Sequence, residues 1–164
     1  MATTYEAIAK TTLGSAAATI TLSSIPATYT DLRLVFVGGG ASGGQFRLRL
    51  NSDTGTNYSS TIITGDGSSA GSTKYTSVDG IKSGYNIGTT TFSLISFDIF
   101  SYSGSTNKTV LLQYSNDQNG SGQSQATVGL WRNTAAITSI TLDLIGGIDF
   151  RANSSLTLYG ILKA

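Results

Sequence analysis

The side chains in this sequence that could do chemistry are few and mostly acidic. There is no Cys and no His, so disulfides, thiolate nucleophiles, zinc and haem sites and histidine general bases lose their usual residue. Glu6 and eight aspartates remain. Asp53-Thr54-Gly55 carries the triplet of retroviral-type aspartic proteases. That chemistry needs two aspartates sharing a proton, so a single copy would have to dimerise, and here Asn51-Ser52 begin a turn ahead of it. Asp and Gly are themselves turn formers, and the segment reads as a turn. Asn51, Asp53 and Asn57 also space oxygen side chains loosely like a calcium loop, but no bidentate glutamate closes the set, and calcium usually takes more than one carboxylate. Residues 38–44 (GGGASGG) lack the Lys-Ser/Thr pair and the helix that a phosphate-binding loop needs. They read as a flexible hairpin loop.

Paired carboxylates for glycoside hydrolysis could be drawn from Asp66, Asp79, Asp98, Asp117, Asp143 and Asp149. None has a context that separates it from a turn or a solvated surface position. Trp131 and the eight tyrosines could stack on sugar rings. Trp131 sits at a strand end, a place that equally suits the core or a subunit contact. The sequence therefore reads as non-enzymatic, with no catalytic residue, no metal site and no cofactor.

The elements that would position these side chains are all strands. In residues 128–144 (VGLWRNTAAITSITLDL), Val128 and Leu130 alternate on one face, Arg132-Asn133-Thr134 break the pattern, and Ile140, Leu142 and Leu144 alternate again. Period-two alternation bounded by turn residues predicts strand, turn, strand, a hairpin around Trp131. Residues 45–50 alternate most clearly, with Phe46, Leu48 and Leu50 inward and Arg47 and Arg49 outward. Residues 5–10 and 18–22 are predicted as short strands, with Ile20 and Leu22 inward and Pro26 ending the second. Residues 32–37 are apolar almost throughout and are predicted to be buried on both faces. Residues 60–64 form a strand around Ile62 and Ile63, followed by a loop over 65–72. Residues 73–91 are weakly patterned and read as short edge strands and loops. In residues 92–102 Phe92 and Leu94 have one phase and Ile95, Phe97 and Ile99 the other, which predicts a β-bulge. Residues 108–115 place Val110, Leu112 and Tyr114 on one face, residues 116–125 form a polar loop turning at Asn119-Gly120, and residues 156–162 are the last strand. About ten short strands with no helical pattern predict an all-β fold: an antiparallel, jelly-roll-like β-sandwich forming one domain over residues 1–164, with a short arm at 1–4.

Composition agrees. Of 164 residues 39% are hydrophobic and only 12% charged, with 20 glycines and one proline. Ser and Thr hydroxyls supply the polar surface, as suits strands. A net charge of +1 makes no electrostatic case for nucleic acid. The N-terminus has no apolar signal core, and no run reaches the roughly 18 apolar residues of a membrane span. A soluble protein without a standard secretion signal is expected.

Five segments in order, 11–35 (TTLGSAAATITLSSIPATYTDLRLV), 49–59 (RLNSDTGTNYS), 95–111 (ISFDIFSYSGSTNKTVL), 128–144 (VGLWRNTAAITSITLDL) and 156–161 (LTLYGI), resemble a family of tailed-bacteriophage virion structural proteins. The resemblance spans nearly the whole chain, and its departures lie in the loops, where partner specificity sits. It implies a small free-standing module: a capsid decoration (cement) protein that stabilises the head by surface contacts or, alternatively, a tail-fibre or receptor-binding module that could take a glycan. It further implies a symmetric oligomer, often a trimer, placed on the capsid surface or tail after synthesis in the host cytoplasm. The expected partners are copies of itself, as a homotrimer, and the major capsid protein or another virion protein, with no nucleic acid and no membrane. Apolar-rich strands at 32–37 and 92–100 offer more apolar surface than one core needs, which also argues for self-assembly. The interface candidates are Arg47, Arg49, Trp131, Arg132 and Tyr159.

Overall fold

A computed structural model describes residues 5–162; the expected arm at residues 1–4 lies outside the described residues. Twelve strands follow one another: β1 (Tyr5–Thr12), β2 (Thr19–Leu22), β3 (Asp31–Gly38), β4 (Gln45–Leu50), β5 (Tyr58–Gly65), β6 (Ala70–Val78), β7 (Ile81–Asn86), β8 (Ser93–Ile99), β9 (Lys108–Asn116), β10 (Gln123–Trp131), β11 (Ile140–Leu144) and β12 (Ser155–Ile161). No helix among the described residues is long and apolar enough to cross a membrane.

The strands form an eight-stranded sheet, β1-β12-β3-β8-β9-β10-β5-β6, and a four-stranded sheet, β2-β11-β4-β7. Every pairing is antiparallel. The fold is a β-sandwich. Within it β1-β12-β3-β8 faces β2-β11-β4-β7, with the chain passing from sheet to sheet as in a rolled hairpin, which is jelly-roll connectivity. The other four strands come as two insertions, β5-β6 and β9-β10, and widen the first sheet on one side only.

Alternation explains the core. Leu32, Leu34 and Phe36 of β3, Phe46, Leu48 and Leu50 of β4, and Ile95, Phe97 and Ile99 of β8 are all fully buried. Phe46 sits 5.4 Å from both Phe36 and Phe97 and 6.0 Å from Phe150, bridging the two sheets. Burying a side chain of this size contributes about 1.5–3 kcal/mol.

Several expectations change. The segment at 32–37 is not buried on both faces: it alternates strictly, and Val37 is 39% exposed. No bulge interrupts β8, because its register with β3 and β9 is continuous. Phe92 and Leu94 lie on the outer face, and apolar residues on both faces imitate a change of phase. The irregularities fall instead in β1, at the β4–β7 pairing and at the β5–β6 pairing. Residues 128–144 are not a hairpin, since β10 belongs to the wide sheet and β11 to the narrow one. Val128 and Leu130 do share one face, as read, and it is the outer one: Val128 is 53% exposed, while Thr127, Gly129 and Trp131 point inward. The expected loop at 65–72 shortens to a tight turn, with Asp66 Oδ1 accepting from the N–H groups of Ser68 and Ser69. The edge strands expected in 73–91 are the ends of the two sheets, β6 and β7. At the β9–β10 turn Asn119 and Gly120 both have positive φ, 58° and 94°, as the Asn-Gly signal predicts.

Residues 38–44 are a packed crossover rather than a flexible hairpin. Gly40 N donates to Gly88 O at 3.0 Å, and Arg151 N donates to Gly39 O at 2.8 Å. A Cβ on Gly39 would lie 2.7 Å from the Gly88 carbonyl, so backbone packing, not mobility, requires glycine there.

Gly129 serves a similar end on the inner face of β10. The Ile81 side chain from β7 lies where its Cβ would be, at 2.7 Å. Gly129→Val is expected to destabilise the fold by about 1–3 kcal/mol through overpacking, read as a lower urea midpoint with an unchanged m-value. An unchanged midpoint would contradict this account of the β7–β10 contact.

Candidate functional site

The turn after β4 shows what the aspartic-protease triplet and the oxygen ladder do. Asp53 Oδ2 accepts from Trp131 Nε1 at 2.7 Å and from Asn57 Nδ2 at 2.9 Å, while Oδ1 accepts from Gly55 N at 2.8 Å. The Trp131 N–H, with those of Asn57 and Gly55, holds the Asp53 carboxyl below the ordinary carboxylate range. Its two oxygens are occupied by donors of the chain itself. Asn51 Oδ1 accepts from Thr138 N at 2.8 Å and Ser139 N at 3.2 Å, tying the turn to the crossover before β11. Among the described residues no group of three or more His, Cys, Asp or Glu side chains could hold a metal ion.

Trp131 is fully buried and lies 6.2 Å from the Tyr58 ring at 16°. The sugar-stacking and interface roles considered for Trp131 need an exposed ring, and it has none. Its place at the strand end, where β10 leaves the wide sheet, turns the indole into the core with its one polar atom satisfied. Arg132, the next residue, is exposed and donates from Nη2 to Thr56 O at 2.6 Å, so it braces the same turn.

Arg47 and Arg49 point outward from β4, as alternation predicts, but neither is a free rim charge. Arg47 grips Asp143 through Nε at 2.8 Å and Nη2 at 2.5 Å, and reaches Asp79 at 2.6 Å. Arg49 contacts the same two carboxylates, at 2.8 Å and 2.9 Å. Lys82 adds a contact to Asp79 at 3.3 Å. Direct cross-strand pairing of Arg47 with Asp143 and with Lys82 brings the cluster together. The hydrogen bond to Asp143 raises the Arg47 pKa further. Alternation in β4 gave the direction of these arginines; their partners lie 30 to 96 residues away in sequence, beyond local patterning.

Tyr159 lies on the outer face of the wide sheet, stacked on Tyr5 at 4.6 Å between ring centroids. Further across that face stand Val37, Leu94, Leu111, Val128 and Ile63, the last 64% exposed. Val37 pairs with Leu94, and Leu111 with Val128. A hollow of about 560 Å³ opens between Ile63 and Leu94, floored by Ser96, Gln113, Ser124 and Ala126. The outward residues of β9, β10 and β5 include no charged side chain. This face is the candidate functional surface. The candidates read from the sequence do not converge on it: only Tyr159 lies on it, and Arg47 and Arg49 lie on the opposite side of the sandwich. The available signal was the pair of adjacent apolar residues at Leu111-Leu112 and at Ile62-Ile63, where one member must face outward.

Compared with family models, curated proteins and solved structures, the chain shows no significant match.

The arginine cluster makes stability depend on pH. Burial raises the Asp79 pKa, but hydrogen bonds from Arg49 and Lys82 and the nearby Arg47 charge outweigh burial and leave it lowered. A carboxyl whose folded pKa is depressed stabilises the fold above its unfolded pKa, about 3.9, and that contribution is lost as pH falls through the folded value. Asp79→Asn is therefore expected to cost roughly 1 kcal/mol at neutral pH, partial exposure screening the pairs. The deficit should shrink below about pH 4. Urea titrations at both pH values check this, and a deficit equal at both would contradict it.

Proposed function

We propose that this chain is a non-enzymatic virion structural protein of a tailed bacteriophage, and specifically a capsid decoration protein that stabilises the head by surface contacts. The observation that carries this reading is the outer face of the eight-stranded sheet, where Val37, Ile63, Leu94, Leu111 and Val128 stand exposed around an uncharged centre. Exposed apolar side chains grouped on one face in this way mark a site of protein contact. The order and text of the strand segments, which resemble virion proteins of this class, point the same way. Each square ångström of apolar surface covered contributes roughly 25 cal/mol, against the entropic cost of association. The partners in this reading are copies of the chain in a closed symmetric oligomer, with a trimer as the arrangement that the resemblance implies, and the major capsid protein on the head surface. A tail-fibre or glycan-binding role has less support, because the aromatic on which it most depended, Trp131, is buried.

Electron microscopy of particles carrying the labelled protein tests the proposal. Density distributed over the head shell is expected. Label confined to tails, or absent from particles, would overturn it.

A further inference from the structure

We propose that the occupant of the outer face of the eight-stranded sheet is a second copy of this chain, packed face to face about a two-fold axis running along β10. The inference rests on the reading of this face as a contact surface and names its partner, a two-fold dimer in place of the trimer that the resemblance implies. One cross-strand row carries the argument. Asp98 pairs with Leu111, Leu111 with Val128, Val128 with Thr61, and Thr61 with Lys74. The row runs straight across β8, β9, β10, β5 and β6, and directly paired residues share a face of the sheet. Val128 is its midpoint. An acidic residue stands two strands to one side and a basic residue two strands to the other.

A two-fold axis lying in the interface along β10 places β8 over the second copy's β6 and β9 over its β5. Asp98 then meets the second copy's Lys74, and Leu111 meets Thr61. Residues on the axis meet themselves. They are Ser124, Ala126, Val128 and Leu130, none charged, as an isologous contact requires. Bulk is complementary too. In the neighbouring row Leu94, 48% exposed, falls over the second copy's Ala70, because Leu94 pairs with Ser115, Ser115 with Ser124, Ser124 with Gly65 and Gly65 with Ala70.

The charges are placed for this. Asp98 is held only loosely by Arg33 at 3.6 Å, with 30% of its side chain exposed, and Lys74 has no ion pair among the described residues. Aligned sheets pack about 30° apart, so the axis bisects the two β10 directions at about 15° to each, and the ends of the row are displaced by about 5 Å. The flexible four-carbon stem of lysine spans that offset. Five strands about 4.8 Å apart, over about six residues of rise, cover about 500 Å² on each copy, or about 1,000 Å² in total. That reaches the lower range of specific interfaces.

Sedimentation of the full chain at tens of micromolar in low salt tests this, with circular dichroism to establish that each variant folds. A dimer is expected. Lys74→Asp, which sets two carboxylates against each other across the interface, should weaken it about tenfold. Val128→Asp, which places like charges on the axis, should give a monomer. Asp98→Lys alone should weaken the dimer, and combining it with Lys74→Asp should restore it. A wild-type monomer or trimer, or a dimer indifferent to Lys74→Asp and Val128→Asp, would overturn the proposal. If the wild type is monomeric but Val128→Asp abolishes attachment to particles, the second copy is the wrong occupant while the contact surface stands. If the wild type is monomeric and Val128→Asp attaches normally, both fail.

Discussion

The constraint behind most of this structure is a mismatch of width. Eight strands form one sheet and four the other. A narrow sheet cannot cover a wide one, so the wide sheet must dispose of the inner margin that extends past β8. It does so by bringing the β7 edge of the narrow sheet against the inner faces of β10 and β5. A strand edge buried in this way carries backbone donors that must find acceptors. Gln125, 4% exposed, supplies one: its Oε1 accepts from Gly84 N at 2.6 Å and from Tyr85 N at 3.3 Å, while its Nε2 donates to Thr127 Oγ1 at 2.7 Å. Gly129 opens the space that Ile81 fills beside it.

The ends of the sandwich are closed by side chains that bond to carbonyls and turns. Trp131 and Tyr58 stack over the turn that follows β4, with Asp53 beneath the indole N–H. At the same end Lys108 is wholly buried. Its Nζ donates to the carbonyls of Gly104 at 2.6 Å and Thr134 at 3.4 Å, and burial pushes its pKa down. It thereby ties the turn before β9 to the crossover after β10. Tyr102 reaches the Pro26 carbonyl and accepts from Tyr29 N at 3.2 Å. These contacts join segments that are far apart in sequence, so a crossover that would otherwise be a loose loop becomes part of the frame.

The two outer faces of the sandwich differ in kind. On the narrow sheet, Arg47, Arg49 and Lys82 are matched to Asp79 and Asp143, so the charges are largely consumed within the subunit. On the wide sheet the outward residues of β9, β10 and β5 are hydroxyl, amide and apolar, and charges flank them at Arg33 and Asp98 on one side and Lys74 on the other. The first surface is finished by its own partners. The second has exposed apolar side chains that no other described residue covers, and this asymmetry is why the proposed contact lies on the wide sheet.

Period-two patterning was enough to read an all-β sandwich, and it was most reliable where one phase was apolar and the other charged. In β4 the arginines leave no choice of face, and in β9 Val110, Leu112 and Tyr114 share one face as read, the structure making it the inner one. It misled where both phases were apolar or both polar. Val128 and Leu130 look like core residues beside Thr127 and Gly129, yet they face outward. Gln125 looks like loop, yet it is buried. Phe92 and Leu94 look like a shift of phase in β8, yet its register never slips. A strand's sequence determines that its two faces differ; which face is covered depends on where the other sheet lies. That placement comes from the rolled connectivity and the two insertions that widen one sheet. The same long-range pairing brought Arg47 to Asp143 and aligned Asp98, Val128 and Lys74 in one row, because strands distant in sequence become neighbours only when the sheets assemble.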